Sequence, residues 1–478
     1  MTFYFYDLET SSASPRTGRI MQFAGQRTNE LMEPIGDPDD IIVKLADDII
    51  PEPDAVLVHG ITPQKTLEEG INEAEFAEFF HEKVAQPATV FIGYNNIRFD
   101  DEFMRKLCYR AFYDPYQWHW KDGRSRWDLL DPIRMMRALR PYGLKWPMLE
   151  GRPSVKLELM AKENGIIHEN AHDALSDVVA LIELAKRFND SQPRLFKFLL
   201  DNRDKRSVAK IAESGVPFVY TSGRLSYEHE KTSVAQTLFK HPRRDAAIIY
   251  DLRQAPERWL DKSVEELVKH WQPAYGEDIE RLPVKVMQYN KSPAIAPTGV
   301  LDKDSRDRIG IDMEKVVKHQ KVIAQNSFFI DKLKKVLDIV ENEQQAKFDL
   351  GDESVDDQLY SGFWSTSDGS EMLKIRMSDV DEFSALQLKV NNKRLREMMP
   401  LYKARNFPDK LNSEEREAWE AHKIKALTGG GKNSRFAKFS ERMHELGSKS
   451  SLGSNEEYLL TELQLYVESI MPEPEEDI

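Results

Sequence analysis

Asp7 and Glu9 stand two residues apart in MTFYFYDLET, a stretch whose aromatic residues read as a β-strand. Side chains two apart leave the same face of a strand. The neighbours Phe3, Tyr4, Phe5 and Tyr6 have core character, and two carboxylates on an apolar strand are costly to bury unless something positive sits between them. A hard divalent cation is the usual solution. The competing account is an exposed strand end with two solvated acids.

Two further clusters carry residues of the same kind. In GYNNIRFDDEF a strand gives way to a helix whose first turn holds Asp100, Asp101 and Glu102. Acids there also cap a helix and complement its dipole. In NAHDALSDVVALIELAKRF, His172 precedes a helix and Asp177 follows five residues later. A lone histidine at a helix start is ordinarily structural, so each cluster is weak by itself. Their order along the chain is more specific: Asp-x-Glu on a first strand, Asp100 at a strand-to-helix turn, and His-x4-Asp opening a helix.

Bringing these acids together requires a sheet flanked by helices. FYFYDLE and IMQFAGQRTN read as strands paired across the polar turn SPRTG, VFIGYNN as a strand closing in a turn, and DEFMRKLCYRAF as a helix. Val178, Leu181, Ile182, Ala185 and Phe188 recur at three- and four-residue spacing, which predicts an amphipathic helix carrying Asp177. From about residue 195 to 350, PFVYTS, AAIIYDL and PVKVMQYN are short strand-like runs between turns, the texture of a small β-barrel, ending in helical FFIDKLKKVLDIV. FDLGDESVDD (348–357) reads as an acidic linker. Beyond it the period is helical, with Ser454 and Glu457 spaced as a capping box and EPEEDI as a frayed tail.

The order of motifs resembles the DEDD superfamily of 3′ to 5′ exonucleases, in its histidine-bearing subclass with an RNase H-like fold. The resemblance implies that Asp7, Glu9, Asp100 and Asp177 bind two Mg²⁺ ions, with Mn²⁺ as a substitute, and that His172 is the general base. Two metals about 4 Å apart can hold both the attacking and the leaving oxygen of an in-line displacement at phosphorus. An imidazole, with a reference pKa of about 6.5, suits proton transfer near neutrality.

The blocks FYDLETSSASPRTGRIMQFA, GYNNIRFDDEF, FYDPYQWHW, RWDLLD, NAHDALSDV, YNKSPAIAP, QLYSGFW and YKARNFP extend the likeness to bacterial exonuclease I over nearly the whole chain. That family implies processive 3′ to 5′ degradation of single-stranded DNA to 5′-mononucleotides, in DNA repair and recombination. It also implies an α/β multidomain chain: an RNase H-like exonuclease domain (1–190), an SH3-like β-barrel domain (194–350) and a helical C-terminal domain (352–478). By position in these blocks, Arg105, Tyr116, Trp120, Arg134 and Lys205 are implied strand contacts, and Glu9 and Lys156 contact substrate near the reacting centre. An arginine is expected of the family at the place of Lys156; lysine keeps the charge but loses the bidentate fork. Asn290, Lys291, Tyr360 and Phe363 are further candidates. The acidic C-terminal tail of single-stranded DNA-binding protein is the implied protein partner, and a monomer is expected.

Composition sets bounds on this reading. The chain has 478 residues, enough for about three domains. Its 67 basic and 81 acidic residues give a formal charge of −14, which excludes a uniformly cationic protein that coats nucleic acid. The charge is uneven, however: residues 31–80 sum to −11 and residues 101–160 to +4. In the latter stretch aromatic rings interleave with cations, as a single strand held by phosphate contacts and base stacking requires, although Trp127 and Tyr109 read as core. Cys108 is the one cysteine, so no intramolecular disulfide forms; it reads as a buried apolar residue in a reducing compartment. No run approaches the roughly 18 apolar residues of a membrane span, so a cytoplasmic protein is expected.

Two motifs are set aside. TGGGKNS resembles a P-loop, but Ala426 stands where its first glycine belongs and Asn433 replaces the Ser or Thr that meets magnesium. HPRR (241–244) reads as a solvated turn. Two alternatives to the exonuclease remain in view: an RNA-trimming 3′ to 5′ enzyme with the same site, and a nuclease-fold scaffold without activity. The five filled motif positions argue against the scaffold.

Overall fold

Alternation along β1 (Thr2–Thr10) sets the two faces of the first sheet. Tyr4, Tyr6 and Leu8 enter a core with Phe23, Phe76, Phe80, Phe91, Phe103 and Leu107, while Asp7 and Glu9 leave from the other face. β1 pairs antiparallel with β2 (Ile20–Thr28), placing Glu9 opposite Gln22, and parallel with β4 (Thr89–Gly93). β3 (Asp39–Ile42) pairs with β2. A parallel pair needs a crossover connection, and between β1 and β4 it includes the helices Pro53–His59, Pro63–Glu69 and Glu73–Phe79. The sheet order is β3-β2-β1-β4, followed by β5 (Ser125–Asp128).

The computed structural model describes residues 1–168, 172–273, 276–349, 354–448 and 452–471. The chain divides into two compact units, with the first division falling inside β5. One unit comprises Met1–Ser125, His168–Ile182 and Glu353–Ile478; the other comprises Arg126–Ile167 and Glu183–Asp352. In the first unit the helix Asp100–Arg110 packs on the β1 core through Phe103, Met104 and Leu107. Its C-terminal part is helical, as the period predicts, with Thr366–Met377, Lys393–Asn406, Ser413–Thr428, Arg435–Gly447 and Ser454–Ile470.

The second unit contains a short hairpin, β6 (Met148–Leu149) with β7 (Arg152–Pro153), and five longer strands. These are β8 (Phe218–Thr221), β9 (Thr232–Lys240), β10 (Ala246–Asp251), β11 (Val284–Gln288) and β12 (Ala294–Pro297). They form an antiparallel sheet in the order β11-β10-β9-β8-β12, whose end strands do not pair among the described residues. Phe218, Tyr220, Ile249, Met287 and Ile295 close its core with Val208 and Ala212 of the helix Lys205–Ala212.

Several expectations are corrected. HPRR is a solvated turn only in part: Pro242, Arg243 and Arg244 are exposed, but His241 is buried with its Nε2 2.9 Å from Glu341 Oε1, a carboxylate that Arg243 and Arg244 each approach to 2.6 Å. Glu341, far along the chain, supplies the partner that takes the His241 ring out of water. The last helix begins one residue earlier than the spacing suggests, since Gly453 is the cap and its N–H donates to Glu456 Oε2 at 2.8 Å. The acidic stretch 348–357 is not a plain linker. The helix Ser327–Asp349 runs into it, residues 350–353 lie outside the described residues, and Asp356 is held by Arg405. The tail EPEEDI lies outside the described residues. Cys108 is fully buried, as expected. Among the described residues no helix is long and apolar enough to cross a membrane.

Candidate active site

Asp7, Glu9 and Asp177 converge: each offers a carboxylate oxygen, and these atoms lie within 4.8 Å of one another. β1 delivers Asp7 and Glu9 from one face, and the helix Ala174–Ser191 delivers Asp177 from its first turn. Asp100, buried at the start of the helix Asp100–Arg110, faces the same group electrostatically. Burial pushes the Asp7 carboxyl well up, and Asp100, Asp177 and Glu9 add to it. Burial likewise pushes Glu9 up to about 9, with Asp177, Asp100 and Asp173 contributing. These carboxylates cannot all ionise side by side unless positive charge joins them, and an all-oxygen donor set fits a hard divalent cation. Solvated acids at an exposed strand end are excluded by the burial of Glu9.

The sheet also fixes the entry to the Asp177 helix. Gln22, opposite Glu9, donates from Nε2 to Asp173 Oδ1 at 3.3 Å and accepts at Oε1 from the Ala174 N–H at 3.4 Å. Asp173 Oδ2 accepts from the Ser176 N–H at 3.1 Å, the bond of a helix cap. Gln22 and Asp173 therefore align the turn that presents Asp177, and neither was singled out from sequence.

The two histidines of HENAH occupy different places. His172 is exposed in a left-handed backbone conformation, φ 66°, just ahead of the helix. The ring that touches the carboxylate cluster belongs to His168, whose Nε2 lies 2.5 Å from Asp177 Oδ1. A third histidine, His59, ends the helix Pro53–His59 and accepts the Ile61 N–H at Nδ1. Burial lowers it to about 4, opposed by the Thr10 carbonyl, so its ring is neutral.

The remaining sequence candidates divide by unit. In the first unit Arg105 is buried and bound to Glu102 at 2.5 Å, with its guanidinium 5.6 Å from the Tyr116 ring centroid. Tyr116 lies 6.1 Å from the ring of Phe363, which is 89% exposed. Trp120 is 57% exposed, and the half-exposed Tyr360 donates its hydroxyl to Glu102. Tyr116 and Phe363 thus present neighbouring rings with the Arg105 cation behind them. Trp127 and Tyr109 are core, as read from sequence.

In the second unit Arg134 is bound to Asp131 at 2.6 Å, and its guanidinium lies against Gly223, where a Cβ would come within 2.8 Å. Lys156 is largely exposed, 3.6 Å from Glu158, and the exposed Lys205 meets Asp245 at 2.8 Å. Such surface pairs are weak and leave the lysines available to phosphate. The Asn290 carbonyl accepts from Arg126 at 3.0 Å.

Residues 4–185 match the family described as Exonuclease, 203–338 the Exonuclease I SH3-like domain, and 353–470 the Exonuclease I C-terminal domain. Exodeoxyribonuclease I of Escherichia coli K12 is 37% identical over 433 residues, covering 89% of this chain and 90% of that protein. Among solved structures, a moderately thermophilic exonuclease I from Methylocaldum szegediense superposes with a TM-score of 0.90 at 35% identity, over 98% of this chain and 99% of the other. A zinc-bound complex of the E. coli protein with single-stranded DNA does so with a TM-score of 0.90 at 34% identity, over 98% and 99%.

Proposed function

This chain belongs to the bacterial exonuclease I family, and from that membership we propose that it removes 5′-mononucleotides processively from the 3′ end of single-stranded DNA, in DNA repair and recombination. The convergence of Asp7, Glu9 and Asp177 within 4.8 Å, faced by Asp100, is the observation that carries this reading. These four residues would hold two Mg²⁺ ions, with Mn²⁺ as a substitute. When bound, the ions supply Lewis-acid stabilisation of charge on the attacking and leaving oxygens.

The chain's own groups do the rest. His172, exposed at the entry to the Asp177 helix, accepts the proton of the attacking water at a ring nitrogen. His168 donates to Asp177 and fixes the orientation of that carboxylate. Glu9 and Lys156 contact the terminal nucleotide, and Arg105, Tyr116, Trp120, Arg134 and Lys205 hold the strand behind it by charge and stacking. The chain acts as a cytoplasmic monomer of three domains, 1–190, 194–350 and 352–478. The acidic C-terminal tail of single-stranded DNA-binding protein is its docking partner.

A time course on one single strand labelled at the 3′ or the 5′ end tests the reading. Immediate release of 3′-labelled mononucleotide, with the 5′ label lost only at the end, is expected with Mg²⁺ and not after chelation. Preference for a matched RNA strand, or tight DNA binding without turnover under any divalent metal, would overturn it.

A further inference from the structure

Resting on that reading of the site, we propose that Tyr6 and Asp101 are positioning residues: their buried hydrogen bond holds Asp100 in register with Asp7. Tyr6 and Asp7 are adjacent on β1 and so leave opposite faces of the sheet. Asp100 and Asp101 are adjacent in the first turn of the helix Asp100–Arg110. The Tyr6 hydroxyl donates to Asp101 Oδ1, so the strand and the helix are joined one residue away from each of their two site carboxylates.

Asp100 needs such an attachment because its own segment lacks the usual one. After β4 the chain passes through Asn95 at φ 71°, a single 3₁₀ turn at Asn96–Arg98, and Phe99 at φ −127° and ψ −81°. Phe99 precedes the helix and offers no side-chain cap, the bond that ordinarily fixes a helix N-terminus. Asp101, fully buried, is bonded instead to the strand. Asn96 completes the attachment: its Nδ2 lies 3.3 Å from Tyr6 Oη and 3.4 Å from Asp101 Oδ1. It fits there because residue 93 is glycine; a Cβ at that position would come within 2.5 Å of Asn96 Cβ.

A bond with a purely architectural role would affect melting and leave metal affinity untouched. A positioning bond should affect affinity, since outer partners of metal-binding residues typically contribute 10- to 100-fold. Tyr6→Phe removes one oxygen and keeps the ring in the core. In the full-length protein, Mn²⁺ binding measured by calorimetry without DNA should weaken about tenfold. The Mg²⁺ concentration for half-maximal hydrolysis should rise by the same factor, while the rate at saturating Mg²⁺ stays within about twofold.

Asp101→Asn keeps an acceptor for the hydroxyl and should lose less affinity than Asp101→Leu. Unchanged Mn²⁺ binding in Tyr6→Phe overturns the proposal. If that variant does not fold, equal affinities of the Asn and Leu variants overturn it instead. A wild-type protein that neither binds Mn²⁺ nor cleaves DNA would sink the reading of the site itself, a result distinct from wild-type binding that Tyr6→Phe leaves intact.

Discussion

Arg405 and Asp48, 357 residues apart in the chain, form a buried ion pair in which Nε and Nη2 of the arginine reach Asp48 Oδ2 at 3.0 and 2.7 Å. The same guanidinium binds both oxygens of Asp356 at 3.0 and 2.6 Å. The arginine of YKARNFP thus joins the beginning of the C-terminal region to the exonuclease region within one unit. Burial pushes the Asp48 and Asp356 carboxyls up, but Arg405 outweighs it and holds both below the usual carboxylate range. Depressed carboxyls contribute stability that is present above about pH 4 and lost as the pH falls. Arg405→Ala removes the principal counter-charge of two buried acids, leaving them Arg19, 3.7 Å from Asp356, and His422, 3.8 Å from Asp48, at a cost of up to about 3–5 kcal/mol. The variant should melt at lower temperature at neutral pH, and its decline toward acid should be shallower than that of the wild type.

The parts of this architecture that follow from local periodicity were readable in advance. The aromatic run Phe3–Tyr6, with Asp7 and Glu9 two apart, marked β1, and the spacing of Val178, Leu181 and Ala185 marked the Asp177 helix. β9 was not seen, because TSVAQTLFK mixes buried Val234 and Ala235 with half-exposed Gln236 and Thr237 and so follows no clean period. Contacts made at a distance left no local mark. His241 and Glu341 are 100 residues apart. Gln22 stands out only once the β1–β2 register sets it opposite Glu9. HENAH contains two histidines, and local helix rules pick out His172 without indicating that His168 reaches Asp177.

The raised carboxyls of the site predict a pH dependence of opposite sign. A carboxyl such as Glu9, pushed up to about 9, binds its proton more tightly when folded. Stability is therefore full below the unfolded value of about 4 and falls as the pH rises toward 9. Without metal, melting temperature should decline between about pH 6 and pH 9, and Glu9→Gln should reduce that slope. Added Mg²⁺ should raise melting temperature more at the alkaline end. Equal metal-induced shifts across this range would count against a shared carboxylate site.

Trp120 and Phe363 present rings to solvent, and Phe363 does so beside Tyr116, whose ring faces Arg105. Base stacking on such a ring contributes about 1–3 kcal/mol. Trp120→Ala should weaken binding of a single strand by about 5- to 150-fold, as read by fluorescence anisotropy in calcium, with little change in melting temperature. An exposed ring that packs on nothing in the strand would give the wild-type dissociation constant.

In the proposed mechanism His172 transfers the proton and His168 orients the Asp177 carboxylate. His172 is exposed ahead of the Asp177 helix, whereas His168 lies 2.5 Å from Asp177 Oδ1. General-base catalysis contributes about 100- to 10,000-fold, so His172→Ala should lower kcat by at least 100-fold at saturating Mg²⁺ while leaving Mn²⁺ affinity near wild type. His168→Ala removes an orienting partner of a metal-binding carboxylate, so it should raise the half-saturating Mg²⁺ concentration by about tenfold and lower kcat less. Single-turnover rates across a Mg²⁺ titration distinguish the two. If the effects were exchanged, with His168→Ala abolishing the rate at any metal concentration, His168 would be the base and His172 the outer residue.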